Sequence, residues 1–363
     1  MPHRTHENDP RWTRRDLLKA AAIAAAGTTL ANVARAEPGV PAGKKSLQNK
    51  EPLTPSPSPA RGEGSCEAAP PPHDGSANKN ACIMQIGILM GTFARPTLEA
   101  RLDAVKACGL DCVQLAMTSA GLPMLPDEIP APLIERIRRE AAARGIQIAS
   151  LQGTFNMCHP DAAERSAGVR RLGVLAAACR SLGVSKIHIC TGTRNTHGMW
   201  ERHPDNNSPE AWRDTLACVR AAAAAVEPFG VTMGFEPEVN NVVDSARKAR
   251  RLMDEVGSPR VKVTMDAANL FHAGELPHMS EVLDQAFALV GHDIVMAHAK
   301  DVGHDGDAGH EAAGHGKLDY DRYLSLLHAY GVKGPLFLHG RTEAQGPGCV
   351  AFLREKLARV AAK

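Results

Sequence analysis

The chain has 363 residues, 44% hydrophobic and 23% charged, with a formal net charge of +2 at pH 7. That length and apolar content suit one large buried core, such as a barrel of about 250 residues with extra segments. The near-neutral charge argues against a polyanionic partner, because binding a phosphate backbone takes a concentrated basic surface.

At the N-terminus, Thr13-Arg14-Arg15-Asp16-Leu17-Leu18-Lys19 precedes a mild apolar run over 20–26, which is the form of a twin-arginine secretion signal. Ala34-Arg35-Ala36 supplies a small-x-small cleavage site, so 1–36 is expected to be a signal peptide and the protein periplasmic. No later stretch reaches the ~18–20 apolar residues of a spanning helix, so no membrane partner is expected beyond export. Residues 37–80 are rich in Pro, Ser, Gly and Ala without hydrophobic period, as in Pro52-Leu-Thr-Pro-Ser-Pro-Ser-Pro-Ala-Arg-Gly-Glu-Gly-Ser65. Such composition cannot offset its ordering entropy and predicts a disordered linker. None of the nine cysteines forms C-x-x-C, and most fall inside predicted elements. They read as small buried hydrophobes rather than a disulfide framework or zinc cluster.

Over 81–363 strand and helix patterns alternate. Predicted strands are 84–93, 112–117, 146–155, 186–191, 231–236, 261–266, 294–300 and 336–339. Predicted helices are 98–108, 131–144, 161–182, 209–229, 245–256, 279–290, 319–330 and 348–360. Eight such repeats demand a parallel sheet, and a single α/β domain closed as a (β/α)₈ TIM barrel is the best count. An open doubly wound sheet is the runner-up, but no Gly-rich phosphate loop follows the first strand.

Three successive strands end in metal-binding groups. Gly230-Val-Thr-Met-Gly-Phe-Glu236 and Val261-Lys-Val-Thr-Met-Asp266 each close on a carboxylate, and Asp293-Ile-Val-Met-Ala-His298 brings an imidazole. Catalytic groups of such barrels come from these strand ends, so Glu236, Asp266 and His298 are expected to converge on one divalent ion. A carboxylate-rich set with one imidazole suits Mn²⁺ or Mg²⁺, with Zn²⁺ or Co²⁺ as looser alternatives. Taken singly, Glu236 reads equally as a solvated strand-end acid and His298 as a core histidine.

The ordered set Phe235-Glu-Pro-Glu238, Met265-Asp-Ala-Ala-Asn-Leu270, Ala297-His-Ala-Lys-Asp301 and Gly314-His-Gly-Lys-Leu-Asp319 resembles the sugar phosphate isomerase/epimerase family, the xylose isomerase-like TIM barrels. The resemblance implies that Glu236, Asp266 and His298 hold the metal and that Glu236 doubles as catalytic acid/base. Gly153-Thr-Phe-Asn156 and Cys190-Thr-Gly-Thr-Arg194, with His197, Trp200 and His203, resemble one branch in which these loops line the sugar pocket. Substrate contacts are accordingly expected from Asn156, Arg194, Trp200, Glu238, Asn269, Lys300 and Arg341, with Asn156, Arg194 and Lys300 as donors and Trp200 as a stacking face. Lys300 reads equally as an ion-pair partner of Asp301 or Glu236. Asp301 reads as orienting His298 or touching substrate. His304, His310 and His315 lie in a Gly- and Asp-rich loop near the site that suits a lid or another ligand.

One departure falls on the eighth strand. Where the ketose epimerases carry a second glutamate, this chain has His339, and Glu343 stands four residues later. His339 is the expected fourth ligand. The implied activity is isomerisation or epimerisation of a small-molecule carbohydrate by proton transfer through an enediolate. Two alternatives stand beside it: a lyase eliminating from a keto-sugar or keto-glycoside, and a non-catalytic periplasmic sugar-binding protein if Glu236 points out of the cavity. A DNA-repair nuclease shares the barrel, but Asn269 replaces the Asp-x-x-His ligand it needs, so no nucleic-acid partner is expected. Oligomeric state leaves no mark in the sequence.

Overall fold

Residues 84–339 and 342–362 are described in the computed structural model of the protein. The signal peptide and linker expected over 1–80, and Arg341, lie outside the described residues. Every βα unit foreseen in the sequence forms. The strands are β1 Ile86–Leu89, β2 Cys112–Ala116, β3 Gln147–Gln152, β4 Lys186–Cys190, β5 Thr232–Glu236, β6 Val261–Asp266, β7 Ile294–Asp301, β8 Glu311–Ala312 and β9 Leu336–Leu338. The helices are α1 Leu98–Ala107, α2 Ala131–Ala143, α3 Ala162–Leu182, α4 Pro209–Val226, α5 Ala246–Val256, α6 Met279–Val290, α7 Tyr320–Ala329 and α8 Gly346–Ala361.

Strands β1 to β7 pair in sequence order, all parallel, and β9 pairs with both β7 and β1. The pairs Ile86↔Leu336, Gly87↔Phe337 and Ile88↔Leu338 close the ring, which excludes the open-sheet alternative. Among the described residues only the two-residue β8 is antiparallel, a flap on the edge of β7 outside the ring.

Local chemistry sets the helix limits. Thr97, Asp161, Ser208, Ser245 and Asp319 each accept a hydrogen bond from a first-turn amide, satisfying donors that have no partner inside the helix. The predicted 209–229 helix ends at Val226, because Glu227–Phe229, with Pro228 inside it, winds into a tighter 3₁₀ turn. Met90–Thr92 does the same to the first predicted strand, which stops at Leu89.

Strand alternation divides the core. Met233, Phe235, Val263, Met265, Ala297 and Ala299 belong to one large apolar layer that also holds the buried faces of the helices. A second, smaller cluster of Leu89, Cys112, Met296 and Phe337 is separate from it and fills the barrel interior. Each Val, Leu, Phe or Met among them contributes about 1.5–3 kcal/mol by leaving water. Two inward positions must be glycine. A Cβ on Gly87 would lie 2.7 Å from the Phe337 ring, and one on Gly234 2.5 Å from Thr264 Oγ1. The seven described cysteines are free and buried, as expected of small hydrophobes, and burial pushes the Cys112, Cys179 and Cys218 thiols up to about 12.

Candidate active site

Inward positions of β4, β5, β6 and β7 and the residue that follows β9 meet on one floor. Register places Asp266 directly beside His298 across β6 and β7, and His298 beside Phe337 of β9. His298 Nδ1 lies 3.7 Å from Glu236 Oε1 and 3.8 Å from Asp266 Oδ2. His339 Nδ1 is 3.6 Å from the same Asp266 oxygen. The structure thus gathers Glu236, Asp266, His298 and His339, with His298 central. The first three are almost fully buried, and His339 is half-buried.

Strand-end reading alone misses His188 of β4. Its Nε2 lies 3.7 Å from Glu236 Oε2, and its Nδ1 shares a 3.2 Å hydrogen bond with Thr264 Oγ1. Gly234 makes this possible, since only a missing side chain lets Thr264 stand there. The signal was present in Lys186-Ile-His-Ile-Cys190, where the two isoleucines face the helices and parity turns His188 inward. Two three-membered donor groups result, His188–Glu236–His298 and Asp266–His298–His339, each with ligand atoms within 4.8 Å of one another.

Electrostatics around the floor are strongly coupled. Burial alone would raise the Asp266 carboxyl, but the Lys300 ammonium, 3.4 Å away, and the flanking imidazoles His339 and His298 hold it far below the usual range. Burial opposes the charge on Lys300, yet Asp266, Glu236 and Glu238 outweigh it and raise its pKa. Lys300 therefore pairs with Asp266, not with Asp301 or Glu236. Burial, reinforced by neighbouring cationic groups, drives His188 well below its ordinary value and lowers His339 as well.

Above the floor opens a cavity of about 1010 Å³, lined among others by His188, Glu236, Glu238, Asn269, His298, Lys300, His339 and Trp200. Asn269 stands between the floor and the loop over 302–318. Its Nδ2 donates to Glu236 Oε1 at 2.6 Å, and its Oδ1 accepts from Gly309 N at 3.0 Å. That loop contributes Gly306, Asp307, Ala308, Gly309 and His310 to the wall, whereas His304 and His315 are not among the lining residues. Asp301 neither orients His298 nor faces the cavity. Its carboxylate accepts from the amides of Val302, Gly314 and Leu318 at 2.8, 3.0 and 2.8 Å, tying both ends of the loop together.

Asn156 and Arg194 do not line the cavity. Asn156 Oδ1 accepts from the amides of Cys158 and Thr193 while its Nδ2 donates to the Asn195 carbonyl. Arg194 is paired with Asp214 at 2.9 Å and donates to the Cys158 carbonyl. Both side chains serve the backbone of loops whose own polar groups need partners.

The fold and site define a closed (β/α)₈ barrel with a carboxylate–imidazole cluster at the C-terminal ends of its strands. Residues 102–356 match the family model described as Xylose isomerase-like TIM barrel, and the chain belongs to that family. Its fold is shared with a D-tagatose 3-epimerase-like protein (TM-score 0.62, 13% identity, covering 76% of this chain and 98% of that one). It is likewise shared with a 3-keto-D-glucoside 4-epimerase from E. coli in its apo form (TM-score 0.56, 17% identity, 77% and 100%). A third likeness is to a xylose isomerase-like TIM barrel protein from Mycobacterium smegmatis in complex with magnesium (TM-score 0.59, 14% identity, 77% and 98%). No curated protein matches the chain by sequence.

Proposed function

We propose that the protein is a divalent-metal-dependent isomerase or epimerase of a sugar or sugar derivative in which Glu236 moves the proton. The observation that carries this reading is a set of buried nitrogens with no hydrogen-bond partner, both ring nitrogens of His298 and His339 Nδ1, gathered around an Asp266 Oδ2 whose close ion-pair cation is Lys300. Each such buried atom costs about 1–3 kcal/mol, and their convergence at the cavity floor is accounted for by a cation. Glu236, Asp266, His298 and His339 would hold it, with His188 as a further imidazole beside Glu236. So many nitrogen donors suit Mn²⁺, Zn²⁺ or Co²⁺ better than Mg²⁺. A bound cation would supply Lewis acidity that makes the C–H beside a substrate carbonyl more acidic.

Glu236 then takes that proton and returns it to the neighbouring carbon, its carboxylate aimed by the Asn269 amide. Lys300 offers a donor to a substrate oxygen from the same wall. A histidine whose lone pair is bound to metal is no base, so with His339 as ligand one base acts on one face of the sugar. That favours 1,2-isomerisation, and equally the lyase reading, in which the same abstraction expels a β-oxygen from a keto-sugar. The sugar-binding alternative is favoured by a Glu236 that points out of the cavity, whereas Glu236 lines it. The twin-arginine motif adds a location: folding and metal loading inside the cell, then work in the periplasm.

The test is a panel of ketoses, aldoses and keto-glycosides incubated in D₂O with metal-loaded protein. Deuterium should enter at one carbon beside the carbonyl. Glu236→Gln should lower turnover by about 10²–10⁴-fold with metal content retained. Active protein free of metal, or no exchange with any member, refutes the reading.

A further inference from the structure

The cavity is far larger than its reactive floor requires. Its 1010 Å³ lies at the top of the ~300–1,000 Å³ range of pockets that hold ligands of several rings. The clustered donors His188, Glu236, Asp266, His298 and His339 sit on the floor, so a single sugar ring reacting there leaves the outer part unfilled. Trp200 stands in that outer wall and is 41% exposed, one of two exposed large hydrophobics among the described residues. The other described tryptophan is covered: the Trp212 indole N–H donates to Glu255 and its ring lies under the Arg251 guanidinium.

Exposure alone marks no site, but the segment bearing Trp200 is built as a platform. Asn195 Oδ1 accepts from the amides of His197 and Gly198, and Asn195 Nδ2 donates to Glu201 at 3.0 Å. Arg202, just beyond, donates to the Val239 carbonyl at 2.6 Å, fastening the segment to the loop that follows β5. Asn156 holds its start through the Asn195 carbonyl. A flat, amphipathic ring with only two side-chain torsions is thereby held in water beside a sugar-sized floor, the arrangement that receives another flat ring at little entropic cost.

We infer that the substrate is a glycoside, with the reacting sugar on the floor and a second group, offering a flat C–H or aromatic face, stacked on Trp200. This rests on the floor being a sugar-enolising site. A consequence follows for the chemistry upstream. With the reacting ring as the glycosyl unit, the glycosidic bond locks its anomeric carbon, so the carbonyl that enolisation needs must come from a ring hydroxyl. The reaction that supplies this substrate is the oxidation of a secondary alcohol on another enzyme, with the hydride passing to a nicotinamide or flavin acceptor and the hydroxyl proton to water.

The experiment is calorimetric titration of the full-length, metal-loaded chain with three ligands sharing one reacting ring: methyl 3-keto-β-D-glucopyranoside, phenyl 3-keto-β-D-glucopyranoside and cellobiose oxidised at C3 of its non-reducing ring. The phenyl or the disaccharide ligand should bind roughly five- to tenfold more tightly than the methyl one, and whichever does so identifies the second group as aromatic or saccharide. Trp200→Ala should abolish the difference among the three ligands, and Trp200→Phe should restore part of it. Equal affinities for all three, a preference that survives Trp200→Ala, or no binding of any ligand overturns the inference. Deuterium exchange on the methyl glycoside separates the two readings, since it reports on the floor without involving Trp200.

Discussion

Glu238 is a carboxyl group that gains a proton by folding. It is 4% exposed in the cavity wall, and burial, reinforced by the negative Glu236, pushes it up to about 8. In the unfolded chain the same group titrates near the ordinary glutamate value, so between that value and about 8 the folded state holds the extra proton. Stability from this group is therefore lost as pH rises across that window and is unaffected below it. In metal-free protein Glu238→Gln should melt with the wild type near pH 4.5 and above it at pH 8.5, measured as Tm in the presence of a chelator. An unchanged gap between the two pH values would remove Glu238 as the source. At this scale the sequence discloses ionisable groups at strand ends, because the fold forces them together, and Glu236, Asp266, His298 and His339 do meet. It hides which donors the backbone will claim. Asn156 and Arg194 carry the same groups as a sugar-binding pair, yet loop amides and Asp214 take them. Asn269, expected to touch substrate, spends both ends of its amide on Glu236 and Gly309.

At the scale of elements, the loop over 302–318 is where function and stability share parts. Asp301 is 1% exposed and serves three loop amides at once, so removing its carboxylate strands several buried donors. At about 1–3 kcal/mol for each donor left without a partner, Asp301→Ala should destabilise the protein by roughly 3 kcal/mol or more, read by urea unfolding. Hydrogen exchange should rise first in 302–318, because the anchor is local. The loss should reach Glu236 too, since Gly309 is what fixes the far end of Asn269. Uniform exchange with loop protection intact would contradict this role. Barrel elements were legible to within a few residues: β6 and α6 match their predicted limits, because apolar alternation and periodicity run uninterrupted there. Shorter strands elsewhere reflect turn chemistry, as at Met90–Thr92, that hydrophobic pattern does not encode. The anchored loop was legible only as Gly and Asp content; that Asp301 ties it down depends on contacts seventeen residues apart.

For the whole molecule, the barrel is closed by its first and last strands, which fixes where the foldable unit begins. β1 is hydrogen-bonded on both sides, to β2 and to β9, so no strand between Ile86 and Leu338 is left with an open edge in the ring. Among the described residues, the apolar layer beneath the helices likewise draws members from Met84 to Val360. A chain beginning at Cys82 should therefore unfold at the same urea midpoint as the full chain, to within about 0.5 kcal/mol, the scatter of changes that touch no packed feature. A chain beginning at Thr92 should not fold. It loses the partner of two strands at once and exposes the unpaired backbone of β2 and β9, which invites pairing between molecules. Circular dichroism and light scattering distinguish the outcomes: a cooperative, monodisperse product from the first chain and an aggregating one from the second. Loss of cooperativity in the chain beginning at Cys82 would show that residues before it contribute to the barrel, and would move the domain boundary upstream of 81.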